Sequence, residues 1–268
     1  MSNAAAFHAL HRGPAVLRLP NAWDAASARV IESAGAKAIA TSSAAVAWAH
    51  GYADGHHLPV SKLVTTISEI ARVVSVPVTA DAEGGYADDP RQAGENVAAL
   101  IGAGAVGINL EDGRDPHELH VRKVEAVRAA AEKAGVDLFI NARTDVWLKQ
   151  LVAADAALEE GIRRGKALKA AGASGFFAPM LIDADDLATV AREVGLPLNA
   201  MARPGLPPAA ELAQLGVRRL SAATGVAAAA WAAVRAATEA FLENGDSDVL
   251  AQQAGAPFNY NTLFVKGG

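Results

Sequence analysis

Short runs of β-branched and other apolar residues alternate along the chain with longer segments in which apolar residues recur every three or four positions. Runs of the first kind predict buried β-strands, and segments of the second kind predict amphipathic helices. Eight strands are predicted in this way, at residues 15–19, 38–42, 77–81, 106–111, 138–143, 175–179, 197–201 and 218–222. A helical segment follows each strand, and many of these segments stop at a glycine that suits a helix C-terminal cap.

Eight repeats of a strand and a helix, with no change of composition along the chain, predict an α/β fold of the (β/α)8 TIM barrel type. We expect residues 1–268 to form this barrel as a single domain. A doubly wound sheet is the alternative, but no glycine-rich phosphate-binding turn follows the first strand. Residues 244–268 lie beyond the eighth helix, and we expect them to form an extra C-terminal helix and tail, exchanged between subunits.

Composition narrows the classes of partner. The chain of 268 residues carries a net charge of −5 and has no cysteine, which excludes disulfides, thiolate nucleophiles and sulfur-ligated metals. No basic run or face is present, so we expect no nucleic-acid partner. The most apolar stretch, GVAAAAWAAVRAATEAF, is interrupted by Arg235 and Glu239. We therefore expect no membrane partner, and a buried or oligomer-facing helix at this stretch. The N-terminus lacks a signal-peptide pattern, so we expect a cytoplasmic protein.

Polar residues cluster where the predicted strands end, which is where a barrel of this type carries its chemistry. They are Thr41, Ser42 and Ser43; Asp81 and Glu83; Glu111 and Asp112; and Asn141, Arg143 and Asp145. Acids so close together repel each other unless a positive charge lies among them. The acids outnumber the single arginine, so a divalent cation is the better partner for them. Because its ligands would all be oxygen atoms, we expect Mg²⁺, with Mn²⁺ as the alternative. Acids before a predicted helix can instead cap its N-terminus, and this is the role that we expect for Asp88 and Asp89.

Four motifs in order along the chain resemble those of the phosphoenolpyruvate mutase/isocitrate lyase superfamily. They are PNAWDAASARVIESAGAKAIATSSAAVA, PVTADAEGGYADDP, GAVGINLEDG and FINARTD. The resemblance implies a Mg²⁺-dependent barrel that makes or breaks a C–C or P–C bond beside a carbonyl group, through a pyruvate enolate. It also implies a small-molecule 2-oxo acid as substrate and a homo-oligomer, either a tetramer or a dimer.

The resemblance also implies roles for individual residues. Asp81 is expected to bind the metal directly, Glu83 takes the place of the family's second aspartate, and Glu111 is expected to hold metal-bound water. Arg143 is expected to clamp the carboxylate and enolate oxygens of the substrate. The remaining expected site residues are Ser42, Ser43 and Ala44, on a turn whose N–H groups face the substrate; Asp54, the acid on the loop after strand two; and Asn199, which shapes the pocket. Of these residues, Ser42, Asp54 and Arg143 form the expected catalytic set.

The sequence departs from the family after the fourth strand. The branches that cleave isocitrate or methylisocitrate carry a loop cysteine there, whereas EDGRDPHELHVRK has none, nor the asparagine or threonine of the mutase and hydrolase branches. Arg114 and His117 are candidates for the missing proton donor, although a surface position at a helix start is preferred for His117. For His50, His56 and His57 we expect solvated positions on a loop.

These features favour a lyase that cleaves a C–C bond of a small 2-oxo or 2-hydroxy di-acid. An oxaloacetate decarboxylase-like enzyme and a substituted-malate lyase both fit, because enolate stabilisation is the main demand of each reaction. Two alternatives remain. One is a P–C bond enzyme, either a phosphonopyruvate hydrolase or a PEP mutase, and the other is a non-catalytic 2-oxo-acid-binding barrel.

Overall fold

The computed structural model describes residues 2–245, 247–254 and 258–265. Its single sheet consists of parallel strand segments in the order β1-β9-β8-β7-β6-β5-β4-β3-β2. Their bounds are β1 Leu17–Leu19, β2 Asn21–Ala22, β3 Ile39–Thr41, β4 Val78–Asp81, β5 Gly107–Glu111, β6 Phe139–Arg143, β7 Gly175–Phe177, β8 Leu198–Met201 and β9 Val217–Ser221. The predicted strands thus all occur, mostly with tighter ends than the sequence indicated.

The first barrel strand is split in two, and this split closes the sheet. β1 pairs with β9 and β2 pairs with β3, and only Pro20 separates the two segments. Proline has no N–H to donate to a ladder, so an interruption at this position costs the sheet little. The carbonyl of Pro20 still accepts a hydrogen bond from Ala40 N at 3.3 Å. Counted as one strand, β1 and β2 complete the eight strands of the predicted (β/α)8 barrel, which is confirmed.

Helices surround the strands. Their bounds are α1 Asn3–Leu10, α2 Ala25–Ser33, α3 Ser43–Ala49, α4 Val60–Val73, α5 Pro90–Gly102, α6 His117–Lys133, α7 Ala157–Ala170, α8 Ala184–Val194, α9 Ala209–Gln214, α10 Gly225–Asn244 and α11 Ser247–Ala254. Short 3-10 turns lie at Ala154–Ala156 and Tyr260–Leu263. Asp89 caps α5 by accepting a hydrogen bond from Arg91 N at 2.8 Å, as expected from the sequence. The sequence did not predict α1 or α3.

α1 closes the amino-terminal end of the barrel. Phe7 is fully buried and meets the ring of Phe139 edge to face at 5.4 Å, while His11 stacks on the same ring at 4.0 Å. Gly107 makes room for this plug, because a Cβ atom there would lie 2.7 Å from the Phe7 ring. With this end filled, the interior of the barrel opens to ligands from the carboxyl ends of the strands.

The last helices extend from the barrel. Trp231, Val234 and Leu242 of α10 are exposed, and α11 contacts α10. The chain then returns to α2, where the Arg29 side chain donates to the Leu263 carbonyl at 2.7 Å. Exchange of this C-terminal region between subunits stays a prediction. Within the described residues, no helix combines the length and the apolar character that crossing a membrane requires.

Candidate active site

Asp81 ends β4 at the mouth of the barrel and is held from two sides. The backbone N–H of Ser43 donates to its Oδ2 at 3.0 Å, and the Asn109 side chain donates to its Oδ1 at 3.3 Å. Its own N–H donates to the Thr41 hydroxyl at 2.9 Å, which ties β4 to the end of β3. Asp81 as a whole is 7% exposed, so its carboxylate is nearly closed off from solvent except toward the mouth. The role of Asp81 as a direct metal ligand stays a prediction.

Glu83 lies in the turn after β4 and already has partners for both oxygens. The Tyr86 hydroxyl donates to Oε1 at 2.8 Å, and the backbone N–H of His56 donates to Oε2 at 2.5 Å. The His56 ring lies 3.6 Å from Oε2 and accepts a hydrogen bond from Gly84 N. Glu83 therefore fastens the loop between α3 and α4 over the mouth. A contact with a metal-bound water stays a prediction for this residue.

Glu111 and Arg143 end neighbouring strands and form an ion pair at the mouth. Arg143 Nη1 lies 2.6 Å from Glu111 Oε2, and Arg143 Nε donates to Asp145 Oδ1 at 2.7 Å. The ammonium of Lys149 lies 2.9 Å from Asp145 and 4.0 Å from Glu111. Two acids and two cations thus share this side of the mouth, and the sequence analysis had identified only the arginine as a cation there.

Burial dominates the electrostatics of Glu111. Burial raises the pKa of this carboxyl, the charges of Arg143 and Lys149 lower it and those of Asp145 and Asp81 raise it, with a net pKa of about 8. Burial also raises the pKa of Tyr86, with added contributions from the charges of Glu83, Asp81 and Asp54. These mutual effects indicate that the acids of β4, β5 and the α3–α4 loop act on one shared region.

Asp112, expected at the same mouth, faces away from it. Its carboxylate accepts hydrogen bonds from Thr144 Oγ1 at 2.6 Å and from Asp145 N at 2.8 Å, and it pairs with Arg164 Nη1 of α7 at 2.7 Å. Successive residues of a strand point to opposite sides, so Glu111 and Asp112 cannot both face the interior. Asp112 therefore fixes the β5 and β6 ends to α7 and is not part of the open site.

The other expected site residues lie around the same opening. Ser42 caps α3, and Ser43 and Ala44 form its first turn, all three being buried. Asp54 is exposed on the α3–α4 loop. Asn199 of β8 is 1% exposed, and neither polar atom of its side chain has a hydrogen-bond partner within the described residues. Its amide is available to an additional group inside the barrel.

The loop after β5 differs from its expected character. His117 is 5% exposed rather than at the surface, and burial together with the charge of Arg164 lowers its pKa. Asp115 is tied to Lys123 at 2.9 Å, and α6 begins directly afterwards. The described loop after β5 therefore brings no histidine to the mouth.

The histidines between α3 and α4 are not simply solvated either. His50 forms a hydrogen bond with Thr66 at 2.9 Å, and His56 contacts Glu83.

The acids fit a Mg²⁺ ion of the kind that keeps most of its water. No group of three His, Cys, Asp or Glu residues in the described ranges is arranged to enclose a metal ion. Mg²⁺ needs no such group, because it usually takes one or two carboxylates directly and holds several waters. Asp81 offers the direct ligand, and Glu111, whose pKa burial raises despite its ion pair with Arg143, lies at the same mouth. A divalent ion among these acids would favour their charged forms.

Sequence reasoning missed the residues that support the site from within. Asn109 orients Asp81, Lys149 reaches the acids from the loop after β6, and Arg219 of β9 donates to Asn109 Oδ1 at 3.2 Å. A signal existed for Arg219. It occupies an inward position of a predicted strand, where an apolar residue is the usual choice.

Comparison with known proteins agrees with the barrel fold. Residues 7–242 match the family model of phosphoenolpyruvate phosphomutase. A solved structure from Burkholderia cenocepacia J2315, provisionally described as a phosphonomutase, is 38% identical with a TM-score of 0.84 over 88% of this chain and 99% of that one. A probable 2-methylisocitrate lyase of Corynebacterium glutamicum is 30% identical over 73% of this chain and 65% of its own length. An oxaloacetate decarboxylase of Pseudomonas savastanoi pv. phaseolicola is 29% identical over 60% of this chain and 57% of its own length.

The relatives are lyases and mutases, and the matched region spans the barrel and all the residues at its mouth. The chain therefore belongs to the phosphoenolpyruvate phosphomutase family, within the PEP mutase/isocitrate lyase superfamily.

Proposed function

We propose that the protein is a Mg²⁺-dependent lyase that cleaves a C–C bond of a small 2-oxo or 2-hydroxy di-acid and forms pyruvate, either by protonation of its enolate after an oxaloacetate-like acid loses CO₂ or as the carbonyl fragment of a substituted malate. The observation that carries this proposal is the grouping of Asp81, Glu111 and Arg143 at one mouth, with Arg143 2.6 Å from Glu111. Family membership supports it, since relatives include a probable 2-methylisocitrate lyase and an oxaloacetate decarboxylase.

The residues of the chain supply binding, orientation and shielding. When bound, Mg²⁺ would act as a Lewis acid toward the carbonyl oxygen, where negative charge accumulates as the bond at C3 breaks. Arg143 keeps its charge at all relevant pH values, because Glu111 and Asp145 raise its pKa against the opposing effect of burial. Its planar guanidinium can bind a substrate carboxylate through two parallel hydrogen bonds. The α3–α4 loop, fastened to Glu83, limits the access of water.

The loop after β5 favours a reaction with modest demands on acid catalysis. It contains no cysteine, and Asp115 is fixed to Lys123 instead of standing free over the mouth. Loss of CO₂ from an oxaloacetate-like acid leaves the pyruvate enolate. Loss of pyruvate from a substituted malate, whose 2-hydroxyl group gives up its proton as the C–C bond breaks, leaves the enolate of the other carboxylate fragment, and water can protonate either enolate. Lys149, whose side chain is 33% exposed, is a second cation beside these acids, 2.9 Å from Asp145 and 4.0 Å from Glu111.

P–C bond chemistry is the second candidate, because the 38% identical relative is described as a phosphonomutase. The loop GRDPHE argues against it. It offers no asparagine or threonine for a transferring phosphoryl group.

A metal-supplemented screen separates these candidates. Oxaloacetate, 2-methylisocitrate, 2,3-dimethylmalate and phosphonopyruvate are each followed by NMR with Mg²⁺ or Mn²⁺, and the same reactions are run with Asp81→Ala. The variant is a necessary control because divalent ions alone decarboxylate oxaloacetate slowly. We expect pyruvate from one of the three carbon acids at a rate well above the variant's. Phosphate release from phosphonopyruvate alone supports the second candidate, and no turnover of any acid contradicts catalysis by this mechanism.

A further inference from the structure

Arg219 is a charged side chain in the centre of the barrel. It is 1% exposed, and its position on β9 is in register with Asn199 on β8. Its charge contributes to lowering the pKa of His11 on the barrel floor, after the larger effect of burial, and the charge of Asp81 at the mouth acts on Arg219 itself. Arg219 thus spans the space between the plug and the site. A buried guanidinium that forms no ion pair within the described residues is costly, so we looked for a role of its polar contacts.

The polar contacts of Arg219 lead to the site through one residue. Its Nη2 donates to Asn109 Oδ1 at 3.2 Å, and the Asn141 side chain donates to the same oxygen at 2.9 Å. Nε and Nη1 of Arg219 have no hydrogen-bond partner among the described residues. Asn109 is therefore the protein group that this arginine binds most directly.

Two donors on one amide oxygen determine which way the amide faces. Because Asn109 Oδ1 accepts from Arg219 and from Asn141, its Nδ2–H₂ group must point to the other side, where it donates to Asp81 Oδ1 at 3.3 Å. The opposite orientation would place the amide oxygen against a carboxylate and the NH₂ group against a guanidinium. Asp81 is then fixed by Asn109 on one oxygen and by Ser43 N on the other.

We infer that Arg219 is a positioning residue, which fixes the Asp81 carboxylate in its metal-binding orientation by holding the amide of Asn109. The inference rests on the proposed function for the identity of the ligand, but not for the geometry. Gly175 supports the same arrangement, because a Cβ atom at that position would lie 2.9 Å from Asn141 Oδ1 and displace the second donor.

The sign of one measurement separates positioning from simple charge repulsion. Arg219→Met keeps an unbranched, flexible stem but removes the guanidinium, and with it the donor and the charge. Removal of a positive charge would by Coulomb's law alone strengthen the binding of a cation. We expect weaker binding instead, with the Kd for Mn²⁺, measured by titration of the metal alone, rising about tenfold, as loss of a group that orients a ligand commonly does.

The matched control is Arg218→Met, the same change at the adjacent residue of β9. Arg218 is half-buried and donates to the carbonyls of Ala213 and Val217, outside the barrel. We expect its Mn²⁺ affinity to equal that of the wild type. Unchanged or tighter binding of Mn²⁺ by folded Arg219→Met overturns the inference.

Metal-free crystal structures decide the case independently of the proposed function. We expect the Asn109 amide to turn and the Asp81 carboxylate to leave its position in Arg219→Met but not in Arg218→Met. An undisturbed Asp81 overturns the inference, even if the wild type binds no Mn²⁺ and the proposed function has failed. Arg219→Lys gives a second decision should Arg219→Met not fold. A lysine that no longer contacts Asn109, with Asp81 and the Mn²⁺ affinity unchanged, also overturns it.

Discussion

Asp81 shows how a single carboxylate is prepared for a ligand before the ligand arrives. The N–H of Ser43 and the amide of Asn109 each hold one of its oxygens, so little orientational freedom remains to be lost on binding. The remaining lone pairs of both oxygens are free to face the mouth. The same two donors also lower the cost of keeping a negative charge in a buried position.

Replacement of Asp81 by alanine should abolish the Mg²⁺-dependent binding of oxalate, which mimics the carboxylate and carbonyl oxygens of a 2-oxo acid. The reason is that the carboxylate which Ser43 N and Asn109 orient toward the mouth is then lost. Isothermal titration with and without Mg²⁺ measures the effect. Asp88→Ala removes an exposed acid nearby and should leave binding unchanged. Metal-dependent oxalate binding that persists in Asp81→Ala would refute the assigned role.

Replacement of Arg143 by lysine should lower kcat by about 10² or more, as removal of one transition-state donor often does. Lysine keeps the charge but cannot bond Glu111 and Asp145 while presenting a second pair of donors to substrate, as the guanidinium can. Steady-state kinetics on the substrate found in the screen give the value. Arg163→Lys, an exposed arginine on α7 paired with Glu160, is the control that should turn over normally. A near-normal rate in Arg143→Lys would remove the residue from the mechanism.

At this scale the sequence revealed the residues whose position depends on one strand alone. Asp81 and Glu83 are two positions apart, so both were expected at the end of β4, and Arg143 was expected at the end of β6. Asp112 was misplaced because the alternation of side chains at the end of β5 was not applied to it, and its partner Arg164 comes from α7, far along the chain. The role of Asn109 depends on the pairing of β4, β5 and β6 and on closure of the barrel by β9. Such contacts between distant segments leave no local pattern.

The turn after β4 shows how an element places its residues through backbone strain. Glu83 and Tyr86 have positive φ angles of 46° and 56°, in a region that non-glycine residues adopt rarely. Gly85 between them has φ +85°, and a Cβ atom there would lie 2.7 Å from the Cβ of Ala93 on α5. The turn folds Tyr86 back onto Glu83, and the hydrogen bond between them offsets part of the strain.

Replacement of Gly85 by alanine should therefore harm both stability and activity. The positive φ alone costs about 1–2 kcal/mol for alanine, and the contact with Ala93 adds about 1–3 kcal/mol. Gly35→Ala is the matched control, since Gly35 also has a positive φ of 95° but nothing lies within 4 Å of its Cβ position. Chemical denaturation and kcat measured on both variants test this. We expect the control to lose stability only, and equal effects in both variants would contradict the packing argument.

Element prediction succeeded where the pattern was strong and local. The strands and the helices from α4 to α10 carry clear periodicity, and their order was sufficient to identify the barrel. α1 was missed because it is held by the contact of Phe7 with Phe139 in β6, a residue far along the chain. α3 was missed because it begins at Ser43, directly after a strand, with no intervening loop signal. The break at Pro20 was missed because each half of the first strand pairs with a different neighbour.

The molecule as a whole leaves one side of the barrel uncovered. A cavity of about 870 Å³ lies there, lined mainly by apolar residues of the segment from α1 to β1, of α2 and of β9, among them Leu17, Ile31 and Leu220. α10, which follows β9, projects away and exposes Trp231, Val234, Phe241 and Leu242. An apolar groove and an exposed apolar helix on the same chain are complementary surfaces. We expect α10 of a second copy to cover the groove in a homo-oligomer.

Val234→Asp tests this assembly, because Val234 is 63% exposed on the face of α10 that also carries Trp231 and Leu242. In a twofold dimer each substitution acts twice, and loss of each buried valine costs about 1.5–3 kcal/mol, so a micromolar or nanomolar association should weaken by orders of magnitude. Sedimentation velocity and light scattering should show an oligomer for the wild type and a shift toward monomer for the variant. Ala236→Asp places the same charge on the opposite face of α10, where Ala236 is exposed, and should leave the mass unchanged. A monomeric wild type, or an unaltered mass in Val234→Asp, would show that this helix does not join two copies.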